Sequence, residues 1–112
     1  MSVYPAISEL ACSAQAVVET SRPARYAKQL ISHMCHKVPC EEIVDGHRIT
    51  FNREGIFSGY GDVLVTDIAG ETKLVLWAYA EDEERLERVK GVLIRHLERF
   101  GEREGLSAHF SV

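Results

Sequence analysis

At 112 residues, 46% of them apolar, the chain can bury one hydrophobic core but not two, which excludes a multidomain machine and confines function to one site or one surface. A formal net charge of -4 argues against a nucleic-acid footprint, because phosphate contacts need a clustered positive face. The three cysteines, Cys12, Cys35 and Cys40, have no framework spacing, no run is long enough to cross a bilayer, and the start MSVYPAISELACSAQ has neither the basic opening nor the apolar stretch of a secretory signal, so the expectation is a cytoplasmic protein with buried free thiols.

Residues 1–11 read as a flexible N-terminal tail and residues 12–112 as a single domain. Residues 13–20 (SAQAVVET) have the alternation and β-branched content of a short strand. A helix follows, capped by Thr20 or Ser21, with Pro23 in the first turn where its missing N–H costs nothing, and it runs to Lys37 or Val38 because Pro39 disfavours helical geometry in the residue before it. Residues 40–44 and 47–52 read as a hairpin turning on Asp45-Gly46, with Ile49 and Phe51 on one side. Residues 56–68 form a longer strand with a bulge or bend expected at Gly59 and Gly61, and residues 72–80 (TKLVLWAYA) the strongest strand of all. A second helix is capped by Asp82, carries Glu83 and Glu84 in its first turn, shows Leu86, Val89, Leu93, Leu97 and Phe100 at three- and four-residue spacing, and is stopped by Gly105. Residues 106–112 alternate Leu106, Ala108, Phe110 and Val112 on one side, as a last strand would.

The order β-α-β-β-β-α-β, with hairpin-linked strands and two one-sided helices, predicts an α+β two-layer sandwich: an antiparallel sheet with both helices on one face. On residues 72–80 both faces are apolar. Leu74, Leu76, Ala78 and Ala80 point one way, and Val75, Trp77 and Tyr79 the other, leaving an aromatic row for solvent, a ligand or a second subunit, with a homodimer the first choice if nothing in the chain itself covers that row. The plainer alternative is that the sheet curls and the N-terminal segment or last strand covers Trp77.

The segment HMCHKVPC, residues 33–40, poses the question of a metal site. At about 100° per residue its donors diverge: His36 lies nearly opposite the buried stripe, and Cys35 and His33 fall on different flanks. His33 and His36 alone could share an ion, which is a third reading, but the paired spacings of a closed zinc site are missing and no metal is expected. Cys35 is then a helix-flank packing residue and Cys40 a strand residue. More informative is the flank carrying Tyr26, His33 and Lys37. If the helices run antiparallel, and then only in one of two side-by-side arrangements, it can meet the edge of the second helix that carries Arg85, His96, Arg99 and Arg103, forming a groove suited to a carboxylate or phosphate. The plainer alternative pairs those arginines with Glu98, Glu102 and Glu104 at the surface.

No nucleophile elbow, glycine-rich phosphate loop or H-E-x-x-H motif occurs, and the carboxylates Glu41, Glu42 and Asp45 with His47 sit at a hairpin tip, so a non-enzymatic protein without a cofactor is expected. The stretches SRPARYAKQLISHMCHKVP, GHRITF and GVLIRHLERFGEREGL resemble a small bacterial family of uncharacterised proteins found alone, or appended to or encoded near siderophore-interacting flavin reductases. The likeness spans residues 20–110, and the matching positions are Tyr26, His36, Lys37, His96, Arg99, Phe100, Arg103 and Glu104. Residues 55–70 are longer and richer in glycine than the family pattern, and the end reads Ala-His-Phe where that pattern has a tryptophan. The resemblance implies a link to iron utilisation. It transfers no family active site; the helix edges and the matching positions together give Tyr26, His33, His36, Lys37, His96, Arg99 and Arg103 as the candidate anion-binding set, and the alternation of residues 72–80 gives Val75, Trp77 and Tyr79 as the candidate interface.

Overall fold

The structure, a computed structural model, describes residues 4–111; residues 1–3 of the expected tail and Val112 of the expected last strand lie outside the described residues. β1 (Cys12–Val18) buries Ala14, Ala16 and Val18 on alternate positions. α1 (Pro23–Cys35) starts with Pro23 in its first turn, but its cap position is Arg22, whose N–H donates to Thr20 Oγ1 at 3.1 Å. Two N–H groups, of Lys37 and Val38, then converge on Met34 O at 3.0 Å, closing the helix before the residues that lead into Pro39. β2 (Cys40–Ile43) and β3 (Gly46–Phe51) make the expected hairpin with the turn one residue earlier. Asp45 takes the left-handed conformation at φ 67° while Gly46 enters the strand, where a Cβ would lie 1.9 Å from Val63 O.

β4 (Gly59–Ile68) and β5 (Glu71–Ala80) are joined by Ala69-Gly70, both at positive φ, the signature of a two-residue type I′ hairpin. Pairing runs unbroken from Tyr60 opposite Tyr79 to Ile68 opposite Glu71, so the glycines of β4 make no bulge. Gly61 serves another purpose: a Cβ there would sit 2.8 Å from the Phe51 ring and 3.1 Å from Leu93, so its absence lets the second helix approach the sheet. That helix, α2 (Glu83–Phe100), is capped by Asp82, which accepts from the Arg85 N–H at 2.8 Å. It ends at Phe100 rather than near Gly105. A 3₁₀ turn, Glu102–Glu104, follows, and Gly105 closes it at φ 68°.

The strand order is β1-β5-β4-β3-β2, antiparallel throughout, with both helices on one face: the two-layer α+β fold expected from the element order. Leu30, Ile49, Val63, Leu74, Leu76, Leu93 and Leu97 fill the space between sheet and helices. Residues 106–111 send Leu106, Ala108 and Phe110 into this core, yet form no strand. Only Ser111 bridges to Gln15, because the Ala108 N–H turns to the Glu98 carboxylate at 3.4 Å instead of a strand neighbour.

On the other face of the sheet, Val75 is buried at 2% exposure, while Trp77 and Tyr79 stack half-buried at 5.9 Å. Beside them Arg48 on β3 grips the buried Asp62 on β4 through two bonds of 2.8 and 2.9 Å. Residues 4–9 are seated at this end of the molecule: Tyr60 donates to Pro5 O at 2.7 Å, Asn52 Nδ2 donates to the Tyr4 hydroxyl at 2.8 Å, and Tyr4 stacks on Phe57. No helix among the described residues is long and apolar enough to cross a membrane.

Candidate functional site

Because β1 and β5 are antiparallel neighbours, the helices that follow them also run antiparallel. Arg22, just before α1, reaches Glu104, beyond α2, at 3.5 Å; farther along, the His33 and His96 rings approach to 4.8 Å. The edges of the two apolar stripes therefore meet. His33 is wedged between His96 and the edge of Phe100, at 5.6 Å, and its Nε2 is buried with no hydrogen-bond partner among the described residues. Burial pushes the proton affinity of His33 below that of a free imidazole, and the charges of Lys37, His96, Arg99 and His36 push it further in the same direction. His96 Nδ1 lies 2.7 Å from Val92 O; a carbonyl can only accept, so Nδ1 carries the hydrogen and Nε2 is the nitrogen left for a ligand.

Beyond His96 the helices and the sheet enclose a groove of ≈ 930 Å³. Met34, Lys37 and Val38 at the end of α1 form one wall, and Glu87, Arg88, Val89, Val92, Arg95 and His96 of α2 the other. Phe51, Arg53 and Ser58, at and after the end of β3, complete it. Its size and mixture of apolar surface with a few polar groups are those of a small-molecule site. Lys37, Arg53, Arg88 and Arg95 bring positive charge against a single lining carboxylate, Glu87, which already holds Lys90 at 3.4 Å. Arg88 is drawn to Glu84 in an exposed pair. Lys37, Arg53 and Arg95 have no ion pair among the described residues. Arg95 lies back along its helix over Gly91, where a Cβ would come within 2.7 Å of the guanidinium.

The structure brings some of the seven residues expected at the helix edges to the groove and leaves others outside it. Lys37 and His96 line the groove, and His33 supports His96 from behind. Tyr26 is buried at the far end, where a hydrogen bond to Glu104 and burial raise its phenol above the usual range. His36 caps α1, exposed, and Arg99 and Arg103 are exposed outside the groove lining. Arg85 folds onto its own helix start at Asp82. The residues not anticipated are Arg53, Arg88 and Arg95. Arg88 and Arg95 stand seven apart on α2, a spacing that puts them on one edge, whereas Arg53 comes from the turn after β3 and is brought there only by the tertiary fold.

The cysteines differ from expectation. Cys35, exposed at the end of α1, is bonded to Cys40, the first residue of β2, with Cα atoms 5.6 Å apart; Cys12 alone is a free thiol. The chain reversal at Pro39 brings them together, which a helical projection of residues 33–40 could not show. Among the described residues no group of three or more histidine, cysteine or acidic side chains converges as a metal site would require.

The fold is shared with the NMR structure of PA4090 from Pseudomonas aeruginosa, which matches with a TM-score of 0.62 at 23% sequence identity, over 88% of this chain and 93% of that one. No curated protein matches the sequence. The model of an uncharacterised protein family conserved in bacteria, DUF2218, matches residues 15–111, a span that includes both helices, every strand from β2 onward and the whole groove. The chain is a member of that family, DUF2218.

Proposed function

We propose that this protein is a small non-enzymatic binding module whose groove takes a carboxylate-bearing anion. The observation that carries the reading is a cationic groove on an acidic chain: Lys37, Arg53 and Arg95 face ≈ 930 Å³ without ion-pair partners among the described residues, although the chain's net charge is -4. The Arg53 and Arg95 forks suit carboxylates, Lys37 adds a further cation, and Met34, Phe51, Val89 and Val92 suit the apolar skeleton of such a ligand. The resemblance to proteins found with siderophore-interacting reductases extends the proposal to ferric chelates and to a cytoplasmic role in iron utilisation.

Thermal unfolding in the presence of organic acids, citrate among them, and of their ferric chelates tests this. A ligand at a hundred times its Kd adds about 2.7 kcal/mol of stability. Arg95→Ala and Lys37→Ala should abolish the gain, and Arg99→Ala, outside the groove lining, should retain it. Absence of stabilisation across the whole panel removes the reading.

A second reading is favoured by the stacked Trp77–Tyr79 pair and the 41% exposure of Val17 on the same sheet face: a homodimer or partner surface. Sedimentation that gives a monomer at all concentrations would remove the homodimer.

A further inference from the structure

The Cys35–Cys40 bond closes a short loop, residues 36–39, that carries two residues of the groove wall, Lys37 and Val38, while Met34 immediately precedes it. The two sulfurs differ in setting: Cys35 is exposed and Cys40 half-buried, with its Sγ 3.8 Å from Val38 O. The bond spans five residues, so it constrains the unfolded chain far less than a long-range disulfide would. The loop ends are also tied without it, by the Lys37 and Val38 N–H groups on Met34 O and by the Thr50 N–H on Pro39 O at 2.9 Å. The link thus adds local order to one side of the groove without being needed to hold the sheet together. In the reducing compartment expected from the sequence, disulfides that form are usually redox-responsive rather than structural.

We propose that Cys35–Cys40 is a reversible redox site for dithiol reductants and that its state sets the order of the Lys37–Val38 wall. A thiolate of the dithiol attacks the exposed Cys35 Sγ. The S–S bond breaks with its electron pair leaving on Cys40 Sγ, which takes up a proton and has Val38 O within reach as acceptor. The second thiolate of the reductant then attacks its own sulfur in the mixed disulfide and expels Cys35, which is protonated. Two electrons pass to the protein and the dithiol becomes a disulfide; oxidation is the reverse with a disulfide oxidant. Only the consequence for ligand affinity rests on the groove reading.

The test uses the full chain carrying Cys12→Ser, incubated natively with reduced or oxidised dithiothreitol, alkylated and weighed, with amide exchange followed residue by residue. Full two-thiol labelling without denaturant, unchanged far-ultraviolet circular dichroism, and exchange at Lys37 and Val38 about tenfold faster in the reduced form are expected. A Cys35→Ser/Cys40→Ser variant should match the reduced form. With citrate as probe, affinity should fall several-fold on reduction. A bond that yields only in denaturant, or Lys37 and Val38 amides that exchange equally in both states, overturns the proposal. Citrate binding to neither form counts against the groove reading alone, since labelling and exchange still decide the redox site.

Discussion

Arg48→Met is the substitution whose cost follows most directly from the coordinates. Arg48 and Asp62 face each other in register across β3 and β4, joined by two charge-assisted bonds of 2.8 and 2.9 Å. Asp62 is only 3% exposed, and the hydrogen bond to it raises the Arg48 guanidinium above its ordinary value despite partial burial. Methionine keeps much of the aliphatic stem but strands a carboxylate in the sheet face. Removing one partner of a buried pair costs 3–5 kcal/mol, and because the Arg48 side chain is 25% exposed the lower figure applies, about 3 kcal/mol. At about 2.1 cal/mol/K per residue, a 112-residue chain unfolds with an entropy near 0.24 kcal/mol/K, so the midpoint should fall by about 13 °C. Trp77, the single tryptophan and the register neighbour of Asp62 on β5, supplies the fluorescence signal for urea and thermal unfolding. Arg48→Met/Asp62→Leu, which removes the stranded charge as well, should recover most of the loss. A cost below about 1 kcal/mol for the single variant, the range of a surface pair, would refute the reasoning, as would a double variant no more stable than the single one.

Asp82→Ala should cost about 1 kcal/mol in urea unfolding, since it removes the acceptor of the Arg85 N–H at the start of α2; a change within error would mean the cap is energetically idle. Gly61→Ala sets a methyl 2.8 Å from Phe51 and 3.1 Å from Leu93, so 1–3 kcal/mol of lost stability is expected, whereas Gly70→Ala, with open space around it, should show only the backbone cost of its positive φ; equal effects from crowding-free and crowded sites would contradict the packing argument. Burial and the neighbouring cations lower His33 in the folded state, so the unfolded chain binds its proton more tightly. That contribution to stability is therefore complete above the unfolded value near 6.5 and is lost as pH falls toward the folded value, at no more than about 1.4 kcal/mol per pH unit. Unfolding curves from pH 8 to 5 should lose this slope in His33→Gln; parallel curves would refute it.

Much of the architecture was legible because two periods were clean. The three- and four-residue spacing of α2 marked its buried stripe and the alternation on β5 separated its two apolar faces, while the flank assignment of His33 and His96 allowed a meeting only for antiparallel helices in one of two side-by-side arrangements, a choice that the tertiary fold makes. What escaped was whatever depends on chain reversal or cross-strand register. The Cys35–Cys40 bond follows from the turn at Pro39, Arg53 reaches the groove through the bend after β3, and Arg48 finds Asp62 only through the β3–β4 pairing. Tyr26 shared the flank of His33 but lies two turns back along α1, so it meets Glu104 instead of a ligand. The alternation of Leu106, Ala108 and Phe110 marked inward side chains correctly, but alternation cannot say whether the backbone joins a ladder.

A ¹H–¹⁵N titration of the oxidised full chain with citrate probes the groove directly. The account predicts saturable shifts at Lys37, Val38, Arg53, Arg95 and His96 that vanish in Arg95→Ala, with the Trp77 and Tyr79 signals unmoved. Saturable shifts gathered at Trp77 and Tyr79, or spectra unchanged through millimolar citrate and its ferric complex, would contradict it.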